Sequence, residues 1–124
     1  MKVAVIGANG FIGKHLVAKL SSLPDIKVFA FDISDTSVFD GKISYKKNDL
    51  SDIKKIATDF ADIDLVYFLA SATIPVSSWE KPLMEIEKNL IPFINFANTV
   101  ATLKVKKLPF YQAPEQFMAL PNKK

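Results

Sequence analysis

Lys2-Val3-Ala4-Val5-Ile6-Gly7-Ala8-Asn9-Gly10-Phe11-Ile12-Gly13 is the stretch on which the reading of this 124-residue chain turns. Residues 3–6 are uninterrupted apolar residues, too short for a buried helix and right for a strand covered on both faces. Three glycines follow at a spacing of three. Beyond them, Ile12, Leu16, Val17, Leu20 and Leu23 recur at helical spacing, so residues 11–23 read as an amphipathic helix that Pro24-Asp25 ends. A strand, a glycine turn and a helix in this order form a recognisable unit. Gly7 can turn sharply off the strand, Gly10 lets a pyrophosphate approach the backbone, and Gly13 lets the helix pack close to the sheet. The N-terminus of the helix then offers unpaired N–H groups and a positive dipole end to an anion. A plain strand-to-helix turn with glycines for packing is the alternative. A nucleoside-triphosphate loop of the G-x-x-x-x-G-K-S/T kind is excluded, because His15 follows Gly13-Lys14.

The pattern repeats outward. Residues 27–31 read as a second strand ending at Asp32, and residues 43–47 as a third. Residues 49–60 read as a helix in which Leu50, Ile53, Ile56, Ala57 and Phe60 share a face and Ser51 is the N-cap. Residues 65–70 are apolar without alternation, a fourth strand buried on both faces. A helix is expected from about Pro82 to Leu103, kinked at Pro92. Alternation of this kind predicts an α/β fold, a doubly wound parallel sheet. Right-handed crossovers place the first strand centrally, with the second and third on one side and the fourth on the other. Residues 108–124 hold three of the seven prolines and no periodicity, and read as an irregular tail.

Composition narrows the function. The chain is 49% hydrophobic and 23% charged, which argues against disorder. A chain of this length buries about two-thirds of its unfolded surface. Without cysteine there is no disulfide framework, zinc ribbon or thiol catalysis, and one histidine makes no His-rich metal site. The net charge of +3 belongs to the tail: residues 1–100 sum to −1 and residues 101–124 to +4. All 16 basic residues are lysines, whereas bidentate reading of phosphate or guanine favours arginine, so no nucleic-acid partner is expected. The uncharged run 65–79 is too short to span a bilayer and is interrupted by Pro75, and Lys2 followed by four apolar residues is no signal peptide. No membrane partner and a cytoplasmic location follow.

Asp32 closes the second strand 19 residues after Gly13. A carboxylate there suits the two hydroxyls of an adenosine ribose and repels a 2′-phosphate, which favours NAD over NADP. Asp49-Leu50 follows the third strand and suits the edge and face of adenine, although an Asp near a helix start reads equally well. His15 reads as an ordinary helix-surface histidine, and Trp79 as packing. The acidic residues form no pair spaced for metal binding or for glycosidic acid–base work.

Together these residues resemble the N-terminal part of the extended short-chain dehydrogenases/reductases, the NAD-dependent epimerase/dehydratase family. The resemblance is carried by V-A-V-I-G-A-N-G-F-I-G at 3–13, Asp32, N-D-L at 48–50 and L-A-S at 69–71, with Lys81-Pro82-Leu83 and Asn89 similar to UDP-glucose 4-epimerases. It covers residues 1 to about 107. It implies an incomplete NAD-binding Rossmann fold with NAD as cofactor. Gly7, Gly10 and Gly13 would flank the pyrophosphate with the Phe11 and Ile12 amides near it. Asp32 would hold the adenosine ribose, and Asp49 and Leu50 would meet adenine. Leu69, Ala70 and Ser71 would line the path to the nicotinamide ribose, and the Ser77-Ser78 loop would approach a nucleotide-sugar substrate in a full-length relative.

The family's chemistry needs a Tyr-x-x-x-Lys pair, in which lysine lowers the tyrosine pKa for proton exchange while nicotinamide takes a hydride. Four residues beyond Tyr45, Tyr67 and Tyr111 stand Asp49, Ser71 and Glu115. No catalytic residue is therefore assigned, and the chain reads as a truncated member without activity of its own. A non-enzymatic dinucleotide-binding or interaction module is the alternative, and a product without function a third. The tail offers a reason for the loss. Back-translated and read from the third base of each codon, its Phe110/Tyr111 junction must give Leu and its Met118/Ala119 junction must give Gly. The junctions between permit Ser-Ser-Ala-Gly-Thr-Val-Tyr, the turn the family would place there. A one-base frameshift near Lys106-Lys107 is the expected origin, dividing the chain into residues 1–107 and a tail at 108–124. The absent later strands leave the apolar fourth strand with an open edge, an expected route to self-association.

Overall fold

The apolar run after Met1 forms the strand at the centre of the sheet. In the computed structural model, which describes residues 1–72 and 80–109, β1 (Lys2–Ile6) leads into α1 (Phe11–Ser21) and β2 (Lys27–Asp32). Then come β3 (Ser44–Lys47), α2 (Ile53–Asp59) and β4 (Leu65–Phe68). The expected single helix is divided into α3 (Pro82–Glu85), a π-helical turn (Ile86–Leu90) and α4 (Ile91–Val100). The sheet is parallel with order β3-β2-β1-β4, the order expected from right-handed crossovers. Ile6 stands level with Phe31 on one side and Phe68 on the other.

β1, β2 and β4 each feed two cores by alternation. Ala4 and Ile6 join Phe31, Val66 and Phe68 beneath α2 and α4, where Ile56, Phe60, Phe96 and Val100 close the layer. Val3 and Val5 join Val28 and Ala30 beneath α1, against Val17 and Leu20. This is why residues 3–6 are apolar throughout: a central strand of a parallel sheet has no wet face. The α2/α4 layer is aromatic. Phe31 stacks on Phe60 at 4.6 Å, and Phe96 meets Phe60 edge-on at 5.1 Å and Phe68 at 5.4 Å.

Several boundaries differ from expectation for local reasons. Ser51 is not the cap of α2. Asp49 Oδ1 accepts the Ser51 N–H at 2.9 Å, which holds Asp49–Ser51 in a turn, and Asp52 caps the helix by accepting the Lys55 N–H at 3.0 Å. α1 stops at Ser21, because Ser22 N and Oγ both donate back to the Lys19 carbonyl. β4 is shorter than the apolar run predicts: Leu69 N still donates to Ile6 O at 2.9 Å, but beyond it the chain turns to pass over Gly7. Pro92 cannot donate to a carbonyl four residues back, and its ring crowds that turn. The helix answers with the wider π turn immediately before it.

The edge of β4 is also not bare. After α4 the chain returns alongside it: Lys106 N donates to Asp64 O, Val66 N to Lys107 O and Phe68 N to Pro109 O, at 2.9, 3.1 and 3.1 Å. Residues 106–109 thus take the place of a fifth parallel strand and cover the edge along those two β4 amides. The opposite edge, β3, is short and carries Lys46 and Lys47, which discourages further pairing. Residues 110–124, most of the tail, lie outside the described residues. Among the described residues no helix is long and apolar enough to cross a membrane.

Candidate functional site

At the end of β1 the chain reverses at Gly7, whose φ is +80°. The Gly7 and Ala8 N–H groups both donate to Phe31 O, at 2.9 and 3.1 Å, so the loop hangs from β2. The three glycines have different surroundings. A Cβ on Gly7 would stand 2.8 Å from Ala70 N, and one on Gly13 would collide with the Gly7 carbonyl and with Ala8. A Cβ on Gly10 would meet only Gly7 O, at 3.2 Å. Gly7 and Gly13 are therefore needed for close packing of backbone on backbone, while Gly10 borders open space. Gly10 is also the N-cap residue of α1 and brings no side chain to its first amides. No acidic residue occupies the first turn, which leaves the positive end of the helix uncompensated from within.

This loop forms the floor of a cleft of about 510 Å³ at the C-terminal ends of the strands, where open parallel sheets bind ligands. Gly7 and Gly10 line the floor, Asp32, Asp49 and Leu50 one wall, and Leu69, Ala70 and Ser71 the other. These residues come from four segments of the chain that only the sheet brings together. Phe11, Ile12 and Gly13 do not line the cleft. Gly13 is buried under the loop, and the Phe11 and Ile12 side chains are 76% and 45% exposed. The Ser77-Ser78 loop and Trp79 lie outside the described residues.

Asp32 is held on both oxygens: Oδ2 accepts the Asn9 N–H at 3.0 Å and Oδ1 the Ser34 N–H at 3.4 Å. A carboxylate so held keeps lone pairs for further donors. Asp49 is set below the usual carboxylate range by the backbone N–H of Ser51 and then its hydroxyl, so it is a firm anion at neutral pH. His15 is on the exposed face of α1, its Nδ1 2.7 Å from Phe11 O and its ring 4.9 Å from that of Phe11, as a surface histidine would be.

The cleft also contains residues to which the sequence reading gave no role at the site. Asn9 lies between the glycines, and its side-chain nitrogen donates to Thr36 O at 2.8 Å and to Tyr45 Oη at 3.2 Å. An amide side chain inside a glycine turn is the signal that could have marked it. Asn48 is buried, with its backbone N–H on Asp32 O at 2.8 Å and its Nδ2 on Asp59 at 3.2 Å, while its Oδ1 has no partner among the described residues. Asn89, on the π turn, accepts the Ala72 N–H at 2.7 Å and donates to Glu85 at 2.9 Å, which ties the helix to the chain leaving β4. Lys88 lines the cleft beside it. Among the described residues no three His, Cys, Asp or Glu residues cluster in a way that would hold a metal.

A glycine turn leading from the central strand of a parallel sheet into a helix, with an acidic residue closing the next strand, is the N-terminal part of a Rossmann-like dinucleotide fold. The model of the NAD dependent epimerase/dehydratase family matches residues 3–117, and the chain belongs to that family. It is 31% identical over 115 residues to a UDP-glucose 4-epimerase of Lactobacillus helveticus, which is 89% of this chain and 34% of that protein. It is 30% identical over 101 residues to a UDP-D-apiose/UDP-D-xylose synthase of Arabidopsis thaliana, 73% of this chain and 26% of that protein. The fold superposes on the UDP-glucose 4-epimerase of Thermotoga maritima with UDP-glucose at a TM-score of 0.76 and 24% identity, covering 89% of this chain and 37% of that one. On the Stenotrophomonas maltophila UDP-glucose-4-epimerase with bound NAD and formylated UDP-arabinopyranose the TM-score is 0.75 at 22% identity, with 89% and 36% covered. The chain thus spans about a third of the length of the relatives it matches.

Proposed function

We propose that this chain is the NAD-binding part of a nucleotide-sugar epimerase or dehydratase, and that it does not turn over substrate by itself. The observation that carries the reading is the cleft where Gly10 borders open space and Asp32 closes the adjacent strand. The cradle suits a dinucleotide: small backbone at the floor for a pyrophosphate, an oriented carboxylate for ribose hydroxyls, and Asp49 with Leu50 for adenine. NAD, when bound, supplies a hydride acceptor and donor. The chain's own residues bind and orient it. Asp32 would accept from the ribose hydroxyls with the lone pairs that Asn9 and Ser34 leave free. The first amides of α1, including those of Phe11 and Ile12, would face the phosphates although their side chains lie outside the cleft. Leu69, Ala70 and Ser71 would extend the wall toward the nicotinamide ribose. No tyrosine of the sequence has a lysine four residues on, so the proton-exchange step has no group here.

The test is thermal unfolding of the chain with NAD, with ADP-ribose and with neither. A ligand at tenfold its Kd stabilises the native state by about 1.4 kcal/mol, several degrees in Tm at this size. The expected result is an upward shift that is nearly the same for NAD and ADP-ribose, because adenosine and pyrophosphate make most of the contacts. No shift with either sinks the binding role. A strong preference for NAD would mean that the nicotinamide half of the pocket is formed after all.

A further inference from the structure

Asn9 and Tyr45 form a clamp whose position is more telling than its strength. The Asn9 side chain joins three groups: Nδ2 donates to Thr36 O at 2.8 Å and to Tyr45 Oη at 3.2 Å, and Oδ1 accepts the Val38 N–H at 3.4 Å. Tyr45 Oη in turn donates to Ser34 O at 2.7 Å. A third, exposed tie runs from Lys47 to Asp35 at 2.7 Å. Apart from the Asn9–Tyr45 bond itself, all of these bonds end on the segment that follows Asp32. The backbone N–H of the same Asn9 holds the Asp32 carboxylate at 3.0 Å. One residue of the glycine loop therefore sets both the carboxylate and the segment beyond it.

We infer that the Asn9–Tyr45 clamp is a positioning device that makes the cleft select an adenosine ribose with a free 2′-hydroxyl over one with a 2′-phosphate. This rests on the dinucleotide reading above and goes beyond it, since repulsion by Asp32 alone would be relieved if the carboxylate could swing aside. A 2′-phosphate needs hydrogen-bond donors and brings none itself. Four donors around Asp32 are already engaged: Asn9 Nδ2 on Thr36 O, Tyr45 Oη on Ser34 O, Ser34 N on Asp32, Val38 N on Asn9 Oδ1. A ribose diol needs acceptors, and the fixed carboxylate provides them. Loosening the clamp frees the Val38 amide, lets the segment 33–38 move and thereby releases the Ser34 N–H from Asp32 Oδ1, leaving the Asn9 backbone N–H as the one remaining tie of those two on the carboxylate. All three changes favour a phosphate. Asn9 and Tyr45 are positioning residues in this scheme, acting through Asp32.

The test compares the wild-type chain with Asn9→Ala and Tyr45→Phe, titrating NAD and NADP and following amide hydrogen exchange of residues 33–39 without ligand. The wild type is expected to bind NAD at least tenfold more tightly than NADP. Asn9→Ala should lower that ratio threefold or more and speed exchange in 33–39 while the β1 and β4 amides are unchanged. Tyr45→Phe, which keeps the ring, should do both to a smaller extent. A merely structural role would weaken both ligands equally and leave the ratio alone, and that result overturns the inference. So does unchanged exchange in both variants. A wild-type chain that binds neither ligand fails at the earlier step, the dinucleotide reading itself.

Discussion

Adding a single carbon at Gly7, Gly10 or Gly13 has three different consequences. At Gly13 the new atom is driven into the carbonyl of Gly7 and the backbone of Ala8, neither of which can move without lifting α1 off the loop. At Gly7 it meets Ala70 N at 2.8 Å, and the residue must also hold a φ of +80° that L side chains rarely adopt. At Gly10 it meets one oxygen at 3.2 Å and otherwise space. Gly7→Ala and Gly13→Ala are therefore expected to destabilise the chain by about 2 kcal/mol or more, read as the loss of denaturant midpoint. Gly10→Ala should cost under about 1 kcal/mol and instead weaken NAD in the thermal-shift titration. The reverse ranking would reassign the glycines. The spacing of three and a different role for each glycine were read from the sequence; that Gly7 is held against Ala70, distant in the chain, was not.

The element scale shows how local chemistry decides boundaries that periodicity leaves loose. Both Ser51 and Asp52 are good cap types, and a serine before an apolar run is a natural choice. The structure selects Asp52 because Asp49 has already taken the Ser51 N–H. Asp52→Ala should cost about 1 kcal/mol, and Ser51→Ala only a few tenths, both measured by urea unfolding. Equal losses would mean that the cap is shared. The Asp49 turn also has a pH sign. Its folded-state pKa is depressed by hydrogen bonds from Ser51, so its contribution is present above the unfolded value and is lost as pH falls through the folded one. Pro92 is the second case. The sequence marks a helix defect near it, but the form, a π turn just ahead of the proline, follows from α4 having to keep Phe96 and Val100 on the sheet. The same turn presents Lys88 and Asn89 at the cleft.

For the molecule as a whole, the two faces of the sheet are unequally covered. Among the described residues two helices, α2 and α4, lie on one face and α1 alone on the other. Leu65 and Tyr67 are accordingly half-buried, whereas Val66 and Phe68, on the doubly covered face, are buried. Phe96 joins α4 to α2 and to β4 through Phe60 and Phe68. Truncating a buried phenylalanine costs about 3–5 kcal/mol, against a total of about 5–15 kcal/mol for an ordinary domain. Phe96→Ala is thus expected to abolish or nearly abolish the cooperative urea transition, while Leu83→Ala, at a site 71% exposed, leaves it in place. If Phe96→Ala unfolds with the wild-type midpoint, α4 is not an integral part of the fold. The β4 edge, the expected route to self-association, has its Val66 and Phe68 amides engaged by the Lys107 and Pro109 carbonyls.

Apolar runs of strand length, helical spacing and the glycine turn were enough by themselves to determine the α/β class, the parallel strand order and the family. Each of these is written in the periodicity of neighbouring residues or in the handedness of crossovers. The wall residues Asp32, Asp49 and Leu69–Ser71 were legible for the same reason, since they sit where strands end. What only the tertiary structure decided is how separate segments meet: Asn9 against Tyr45 and Thr36, Asn89 against Ala72, and residues 106–109 beside β4. These contacts join positions 17 to 36 residues apart or more, and no local pattern encodes them. They depend on the sheet having first brought the strand ends to one edge, where backbone groups that need partners find whichever side chains the fold has placed within reach.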